Sequence, residues 1–492
     1  MGPQSGATIT SGRVGQDAMP GPEDFAGLAS DSREVKPGYL FAALPGTKAN
    51  GAEFVKDAVA RGAVAVLGRP DVAAAAQALG VRFISDENPR LGLARRAARF
   101  FGAQPKTVAA VTGTKGKSSI VAFVREIWTA LGKPAASLGT VGVVTPKGEI
   151  PLKHTTPDPI EVHRLLAQLK KDGIDHLALE ASSHGLDQFR LDGVEIAACG
   201  FTNITRDHMD YHADFEHYLR AKLRLFSEVV RDGGIAVVNA DAAHADRFIA
   251  AAKKRDLRVM TVGEQGDAIR LLAREGRLDG QTLRLRHAGR DYAVSLPLAG
   301  SFQASNALVA AALVIGLGDA PEKVFAAVEH LKGAPGRLEK VACAASGAPV
   351  YVDYAHTPDS LEQVLKAVRP HVSGRLHVIF GCGGDRDRGK RPLMGKAAIE
   401  NADVVIITDD NPRGEDASAI RKEALAGAPG AQEIGDRALA IREGIAALAA
   451  GDMLIIAGKG HETGQIVGGE VRPFSDRAEA VKAAMSLGGR AA

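Results

Sequence analysis

The residues with the densest chemical content are Gly113-Thr114-Lys115-Gly116-Lys117-Ser118-Ser119, set between the β-branched run 108–112 and the helix-like pattern 120–125. A strand that breaks into a glycine-containing turn and then a helix points backbone N–H groups and a helix N-terminus at an anion. In such a phosphate cradle Lys117 reaches the β- and γ-phosphates of a nucleotide, and the Ser118 hydroxyl ligates Mg²⁺. The loop departs from the strict G-x-x-x-x-G-K-[ST] pattern, with Val111 where the first glycine would stand. A plain strand-to-helix turn is the competing reading of this segment alone.

Further along, strand-like runs open into polar loops, which is where an α/β sheet gathers its ligands. The run 176–180 ends in the acid Glu180 and leads into Ala181-Ser182-Ser183-His184. The run 198–204 opens into Asp207-His208-Met209-Asp210-Tyr211-His212, whose two histidines and two aspartates offer metal ligands or a merely polar loop. Following a strand, in a chain that already has a phosphate loop, the set favours catalysis. A helix is expected over 214–230, with Phe215, Leu219, Leu223, Phe226 and Val230 on its apolar face and Lys222 on the border of that stripe. A half-buried lysine has a depressed pKa, and its neutral amine reacts with CO₂ to give a carbamate that can hold Mg²⁺. A lysine snorkelling beside Arg220 and Arg224 accounts for the pattern equally well. Asn306, entering the Ala-rich run that follows, faces a nucleotide or caps the helix, and capping is the cheaper explanation.

The elements needed to position these groups divide the chain into three α/β parts. Its 492 residues are enough for roughly three domains. The first part, 1–100, begins with a Gly-, Ser- and Pro-rich stretch, 1–23, that reads as a loose tail with no apolar core of a signal peptide. In the small module that follows, Ser30, Ser32 and the turn Thr47-Lys48-Ala49 suit a nucleotide-sugar, but Ser-Asp-Ser is also an ordinary turn or N-cap, and the residues alone favour the turn. The central part, 101–334, holds the phosphate loop. The third, 335–492, has four strand-like runs with helical patterns between them, which predicts a mostly parallel sheet. Its loops carry Ala355-His356-Thr357-Pro358-Asp359, the segment 381–388, Asp409-Asp410-Asn411-Pro412-Arg413 and Gly458-Lys459-Gly460-His461-Glu462.

Composition narrows the function. Hydrophobic residues make up 45% and charged residues 24%, as in ordinary globular proteins, and the net charge of +3 is too small to imply a nucleic-acid or membrane surface. Small-molecule partners are expected, without nucleic acid and without membrane insertion. Three scattered cysteines suit reduced thiols and a cytoplasmic location. The longest apolar stretch, 307–317, is too short to cross a bilayer.

Taken together, Gly113-Thr114-Lys115-Gly116-Lys117-Ser118, His154-Thr155-Thr156-Pro157-Asp158, Glu180-Ala181-Ser182-Ser183-His184-Gly185-Leu186, Asp207-His208-Met209-Asp210-Tyr211-His212, Tyr354-Ala355-His356-Thr357-Pro358-Asp359 and Asp410-Asn411-Pro412-Arg413 resemble the Mur ligases, in order and with family-like spacing from about Ser30 to Arg477. The departures are small. Lys115 and Ser118 stand where relatives often have Asn and Thr, and His154 where many have Asn; no required functional group is lost.

The resemblance implies three domains: a UDP-sugar-binding module, a central P-loop-type ATPase domain and a C-terminal Rossmann-like domain. It also implies an ATP-dependent amide ligase of peptidoglycan precursor synthesis, expected as a monomer, acting on UDP-MurNAc-L-Ala-D-Glu, meso-diaminopimelate and ATP with Mg²⁺. By the same resemblance Ser30, Ser32 and Thr47-Lys48-Ala49 hold the uridine nucleotide, and Thr155, Thr156, Ser182, Gln188 and Arg190 grip the muramoyl-peptide. Glu180 and His208 match Mg²⁺ ligands, and Lys222 matches a carbamylated lysine. Gly113 to Ser119, Asn306, Arg337 and Asp353 lie along ATP, while Arg386, Asp410, Asn411, Pro412, Arg413, Gly458 and Glu462 match positions for the incoming amino acid. Three rivals remain: a lysine-adding relative, distinguished by the residues after the strand 404–408; a folylpolyglutamate synthetase, disfavoured by the N-terminal module; and an inactive nucleotide-sugar binding protein. The presence of Lys117, Glu180, His208 and Lys222 together speaks against the last.

Overall fold

The structure, a computed structural model, describes residues 25–46 and 50–492. The tail 1–23 and the turn Thr47-Lys48-Ala49 lie outside the described residues. The chain folds as two compact units that divide after Gly102.

The first unit carries a parallel sheet of β1 (Gly27–Ala29), β2 (Tyr39–Ala42), β3 (Ala65–Gly68) and β4 (Arg82–Ser85), in that order. Phe41 and Val66 pack with Val55 and Ala58 of the helix Val55–Ala60. Asp31 caps the short 3₁₀ turn Ser32–Glu34 by accepting from the Arg33 N–H at 2.9 Å, so Ser-Asp-Ser does form a capped turn. Ser32 is buried beneath it and Ser30 is exposed.

The second unit holds two larger sheets. The strands of the first are β5 (Thr107–Thr112), β6 (Ala135–Gly139), β7 (Gly142–Thr145), β8 (Gly148–Ile150), β9 (His176–Glu180), β10 (Ile196–Phe201), β11 (Ile235–Asn239), β12 (Arg258–Gly263), β13 (Ile269–Arg277), β14 (Gly280–His287) and β15 (Arg290–Leu296). Their order is β15-β14-β13-β12-β11-β10-β5-β9-β6-β7-β8, parallel from β13 through β6, with antiparallel hairpins at both edges. Side chains alternate across a strand, so Ala109 and Val111 of β5 join the core on one face and Val108 and Ala110 the core on the other. On the Val111 face the helix Lys117–Ala130 buries Ile120, Phe123, Val124 and Ile127, the i, i+3, i+4, i+7 stripe of an amphipathic helix. Beside it Ser301–Gly316 is buried nearly all round, as its Ala-rich apolar run requires.

The second large sheet contains β16 (Glu339–Cys343), β17 (Pro349–Asp353), β18 (Leu376–Cys382), β19 (Val404–Asp409), β20 (Gln432–Glu433), β21 (Met453–Ala457) and, after the separate hairpin of β22 (Gly464–Val467) and β23 (Glu470–Pro473), β24 (Arg490–Ala491). Their order is β20-β19-β18-β21-β17-β16-β24, parallel from β20 to β17. Val378 and Phe380 face one core and Ile379 the other. The two sheets meet through His371, whose Nε2 accepts the Gly300 N–H at 3.0 Å, and through Lys115, which donates to Asp359 and, at 2.8 Å, to Gln363 of the helix Pro358–Val368.

Candidate active site

In the central sheet, β5 lies between β9 and β10, so the loops at their carboxyl ends share one crevice. The helix Lys117–Ala130 starts directly after Gly116, which caps it at φ 88°. A Cβ at Gly116 would run into the Asn306 amide oxygen, so only glycine lets this loop lie against the helix Ser301–Gly316. From the other side Asn203 fixes the loop: its carbonyl accepts the Thr114 N–H at 2.8 Å and its Oδ1 the Lys115 N–H at 3.1 Å. Ser119 is buried and Ser118 half-buried at the first turn of the helix. Asn306 is not a cap. Gly300 occupies the N-cap, and Asn306, in the helix interior, donates to Gln303 Oε1 at 3.0 Å. The capping expectation fails because the helix begins a turn earlier than the apolar pattern suggests.

Two ammonium groups converge on one carbonyl. Lys117 Nζ donates to the carbonyls of Gly113 and Thr114, each at 2.9 Å, and Lys222 Nζ donates to that of Gly113 at 2.8 Å. A carbonyl oxygen has two lone pairs, and here both serve like charges. Burial pushes the Lys117 ammonium below its ordinary pKa, opposed by Glu180 and Asp207. Lys222 is driven well below its ordinary value by burial first and then by the Lys117 charge. Its Nζ sits 4.5 Å from the Tyr218 ring centroid, and the Tyr218 hydroxyl pairs with Thr114 at 2.8 Å.

Lys222 is 1% exposed, not on the border of the buried stripe. The α-helix is Phe215–Arg224, followed by one π-helical turn, Leu225–Val229. A π turn takes in an extra residue, so a stripe drawn at α-helical period from Phe226 and Val230 is out of phase with the preceding turns. The buried face is Tyr218, Leu219, Ala221 and Lys222, while Phe215 and Leu223 are half-exposed.

Glu180, at the end of β9, is 1% exposed, and its two carboxylate oxygens accept the N–H and hydroxyl of Thr140 at 2.8 and 3.2 Å. Thr140 pairs with Thr155 at 3.0 Å, and the Thr156 hydroxyl donates to the Glu180 carbonyl at 2.9 Å. Arg190 donates to the Thr156 carbonyl at 2.6 Å and to Gln188 Oε1 at 2.7 Å, while Ser182 caps the turn Ser183–Asp187. The structure therefore gathers Thr155, Thr156, Gln188 and Arg190 around the Glu180 strand end, with Ser182 accepting at the next turn. His208 adopts a left-handed φ of 54°, half-exposed, its ring 5.1 Å from that of His184. Among the described residues no three His, Cys, Asp or Glu are arranged to hold a metal by themselves. Mg²⁺ takes one or two carboxylates and leaves its other positions to water and phosphate oxygens. Ser118, Glu180 and a phosphate cradle fit such an ion; Lys222 as an ammonium does not, and fits only as a carbamate.

In the second large sheet, Asp353 ends β17 and accepts the N–H groups of Leu338 and Ala355, both at 2.7 Å. Burial raises its pKa, and the Arg337 charge opposes that shift. Arg337 stacks on Tyr354, 4.6 Å from the ring centroid. Arg413 follows β19 at φ 53°, donating its N–H to Ile466 at 3.0 Å and one guanidinium N–H to the Gly384 carbonyl at 2.9 Å. Arg386 is exposed and donates to the Asp385 carbonyl at 3.1 Å. Asp410 is buried, which raises its pKa, with Arg437 and Lys459 opposing. Gly458 turns at φ 117°, and a Cβ there would stand 2.7 Å from Asp410 Oδ2. Pro412 is buried between Asn411 and Arg413. Asn411 Oδ1 takes Lys459 Nζ at 3.1 Å and the Ile466 N–H at 2.9 Å, and Nδ2 donates to Glu462 Oε2 at 3.0 Å. Both lone pairs of its oxygen are thus taken by protein donors.

Sequence reasoning gave no role to Thr140, Tyr218, Arg437, Lys459 and Asp476. Arg437 and Asp476 form a two-pronged buried ion pair, 2.7 Å on each prong, and Arg437 also donates to the Ala457 carbonyl at 2.9 Å. For Lys459 a signal was present: a lysine between two glycines in a strand-end loop.

A phosphate loop beside a strand-end acid, and a second sheet whose loops present guanidinium groups, define a nucleotide-using enzyme that handles carboxylates. Family models match along most of the chain: Mur ligase family, catalytic domain, at residues 24–101; Mur ligase middle domain at 111–314; and Mur ligase, glutamate ligase domain, at 336–460. The chain belongs to the Mur ligase family and has its three-domain architecture. It is 56% identical over 485 residues, 96% of this chain and 98% of the other, to a UDP-N-acetylmuramoyl-L-alanyl-D-glutamate–2,6-diaminopimelate ligase of Bradyrhizobium diazoefficiens. A protein of the same name from Mesorhizobium japonicum is 54% identical over 462 residues, 94% of this chain and 95% of that one. A solved structure of a ligase so named is 36% identical with a TM-score of 0.73, covering 94% of this chain and 95% of that one.

Proposed function

We propose that the chain is an ATP-dependent ligase that joins meso-diaminopimelate to the γ-carboxyl of D-glutamate in UDP-MurNAc-L-Ala-D-Glu during cytoplasmic synthesis of peptidoglycan precursors, acting as a monomer. The observation that carries this reading is identity of 56% across nearly the whole chain to a ligase so named. No helix of the described residues is long and apolar enough to cross a membrane, in keeping with a water-soluble substrate.

A carboxylate does not condense with an amine unaided. An oxygen of the γ-carboxylate attacks the γ-phosphorus of ATP; the bond to the β,γ-bridging oxygen breaks, giving an acyl phosphate and ADP. The amine of the diamino acid then attacks the acyl carbon, phosphate leaves with the bonding pair, and the amine nitrogen loses a proton. The first step brings two anions together. Lys117 and the N–H groups of the phosphate loop, Gly113 to Ser119, offset that repulsion and hold the phosphates in line, while Asn306, Arg337 and Asp353 line the rest of the nucleotide. Mg²⁺ held by Ser118, Glu180, His208 and carbamylated Lys222 would neutralise phosphate charge. Thr155, Thr156, Ser182, Gln188 and Arg190 bind the muramoyl-peptide. Ser30, Ser32 and Thr47-Lys48-Ala49 bind its uridine end. The three domains run 1–100, 101–334 and 335–492.

For the incoming amino acid, Arg413 and Arg386 present the guanidinium groups that a distal carboxylate requires, and lysine would leave them unpaired. Asp410, Asn411, Pro412, Gly458 and Glu462 complete that subsite. Phosphate release tests the ligase reading. It should require the UDP-dipeptide, the diamino acid and ATP together; release that needs only one of the first two would refute it.

A further inference from the structure

Lys459 carries none of the roles assigned above, yet it is 0% exposed and among the largest fully buried side chains. A buried ammonium is costly unless paired, and this one is paired within the amino-acid subsite: Nζ donates to Glu462 Oε2 and to Asn411 Oδ1, at 3.0 and 3.1 Å. Both acceptors are thereby fixed. Because Asn411 Oδ1 receives Lys459 and the Ile466 N–H, the amide turns Nδ2 toward Glu462 and donates to the same Oε2. Glu462 Oε2 therefore carries two donors, and Oε1 takes no protein hydrogen bond among the described residues. Glu462 is 36% exposed at its side chain while Lys459 is sealed behind it.

From this arrangement we propose that Lys459 is a positioning residue for substrate selection. By occupying one oxygen of Glu462 and setting the Asn411 amide, it fixes the carboxylate and leaves Oε1 to accept an ammonium group of the incoming diamino acid. The guanidinium groups of Arg413 and Arg386 meet the carboxylate of the same ligand. Lys459 does not itself touch substrate. This rests on the ligase reading above.

The test is steady-state ligation by Lys459→Met, which keeps the unbranched shape and most of the length of the side chain and removes its charge and donors. KM for meso-diaminopimelate should rise about tenfold or more, with KM for ATP and the UDP-dipeptide changed less than about twofold. Lys459→Gln, which keeps a donor, should recover part of the loss and serves if the methionine variant folds poorly. In Glu462→Gln the added Lys459→Met change should cost little more, because both act through one carboxylate. Crystals of ligand-free Lys459→Met should show the Glu462 carboxylate and the Asn411 amide reoriented. Equal rises in all three KM values, additive losses in the double variant, or an unmoved Glu462 would overturn the proposal. Wild-type protein that forms no product would instead sink the ligase reading, and the crystal comparison would still decide the positioning.

Discussion

The phosphate loop and the proposed amino-acid subsite both bury cations, and they treat them in opposite ways. Among the described residues Lys117 and Lys222 have no carboxylate in hydrogen-bond contact; they share the Gly113 carbonyl, and each lies below its ordinary pKa. Arg437 and Lys459 are paired before any ligand arrives, with Asp476 and with Glu462. A loop that must take a polyanion keeps its cations underpaired, so ligand binding relieves their repulsion. A subsite that must tell one amino acid from another uses finished ion pairs as rigid walls and leaves a few donors and acceptors unspent.

The contrast can be broken most severely at Arg437. Removing one partner of a buried pair typically costs about 3–5 kcal/mol, so Arg437→Met should lower the unfolding free energy by about that much in urea titrations. A loss under about 1 kcal/mol would mean that the pair does not brace the end of β21, where Arg437 reaches the Ala457 carbonyl. Lys117→Ala should act in the opposite sense. Ligation should fall about 100-fold to 1000-fold, while the ligand-free protein holds its melting temperature, because an underpaired, half-buried cation has gone. Wild-type turnover would remove the loop from the chemistry.

Lys222→Ala should lose most activity and regain part of it with a short-chain carboxylic acid supplied at high concentration; full activity in CO₂-depleted buffer would end the carbamate idea. The smallest effect is on stability against pH. In CO₂-free buffer the folded state holds Lys222 below the ordinary lysine value of 10.5, so between that depressed value and 10.5 the unfolded chain binds more protons. Stability therefore rises with pH across the window, by at most about 1.4 kcal/mol per pH unit for one group. Lys222→Met should flatten the slope, and an unchanged slope would show that the ammonium is not held in a disfavoured state.

Much of the site was legible because it is local. The order strand, glycine turn, lysine, helix fixes the phosphate loop within a dozen residues, and Glu180 and the 410–413 loop sit where strand-end reasoning puts them. Burial of Lys222 was underestimated because a π turn does not show in a 3.6-residue period. Asn306 was misjudged for a related reason: the helix starts at Ser301, inside residues too polar to continue the apolar run. Arg437 with Asp476 and Lys459 with Asn411 are joined across 39 and 48 positions of sequence, and no spacing rule links partners so far apart. Thr140 has no motif of its own, since its role comes from the turn between β6 and β7.

One measurement bears most directly on the account: ligation with UDP-MurNAc-L-Ala-D-Glu and ATP in the presence of equal meso-diaminopimelate and lysine, read by the mass of the product. The expected result is the diaminopimelate adduct almost alone, with one ADP and one phosphate per product, and a preference that falls about 10-fold to 100-fold in Arg413→Ala. Comparable lysine product from the wild type, or undiminished preference in that variant, would contradict it.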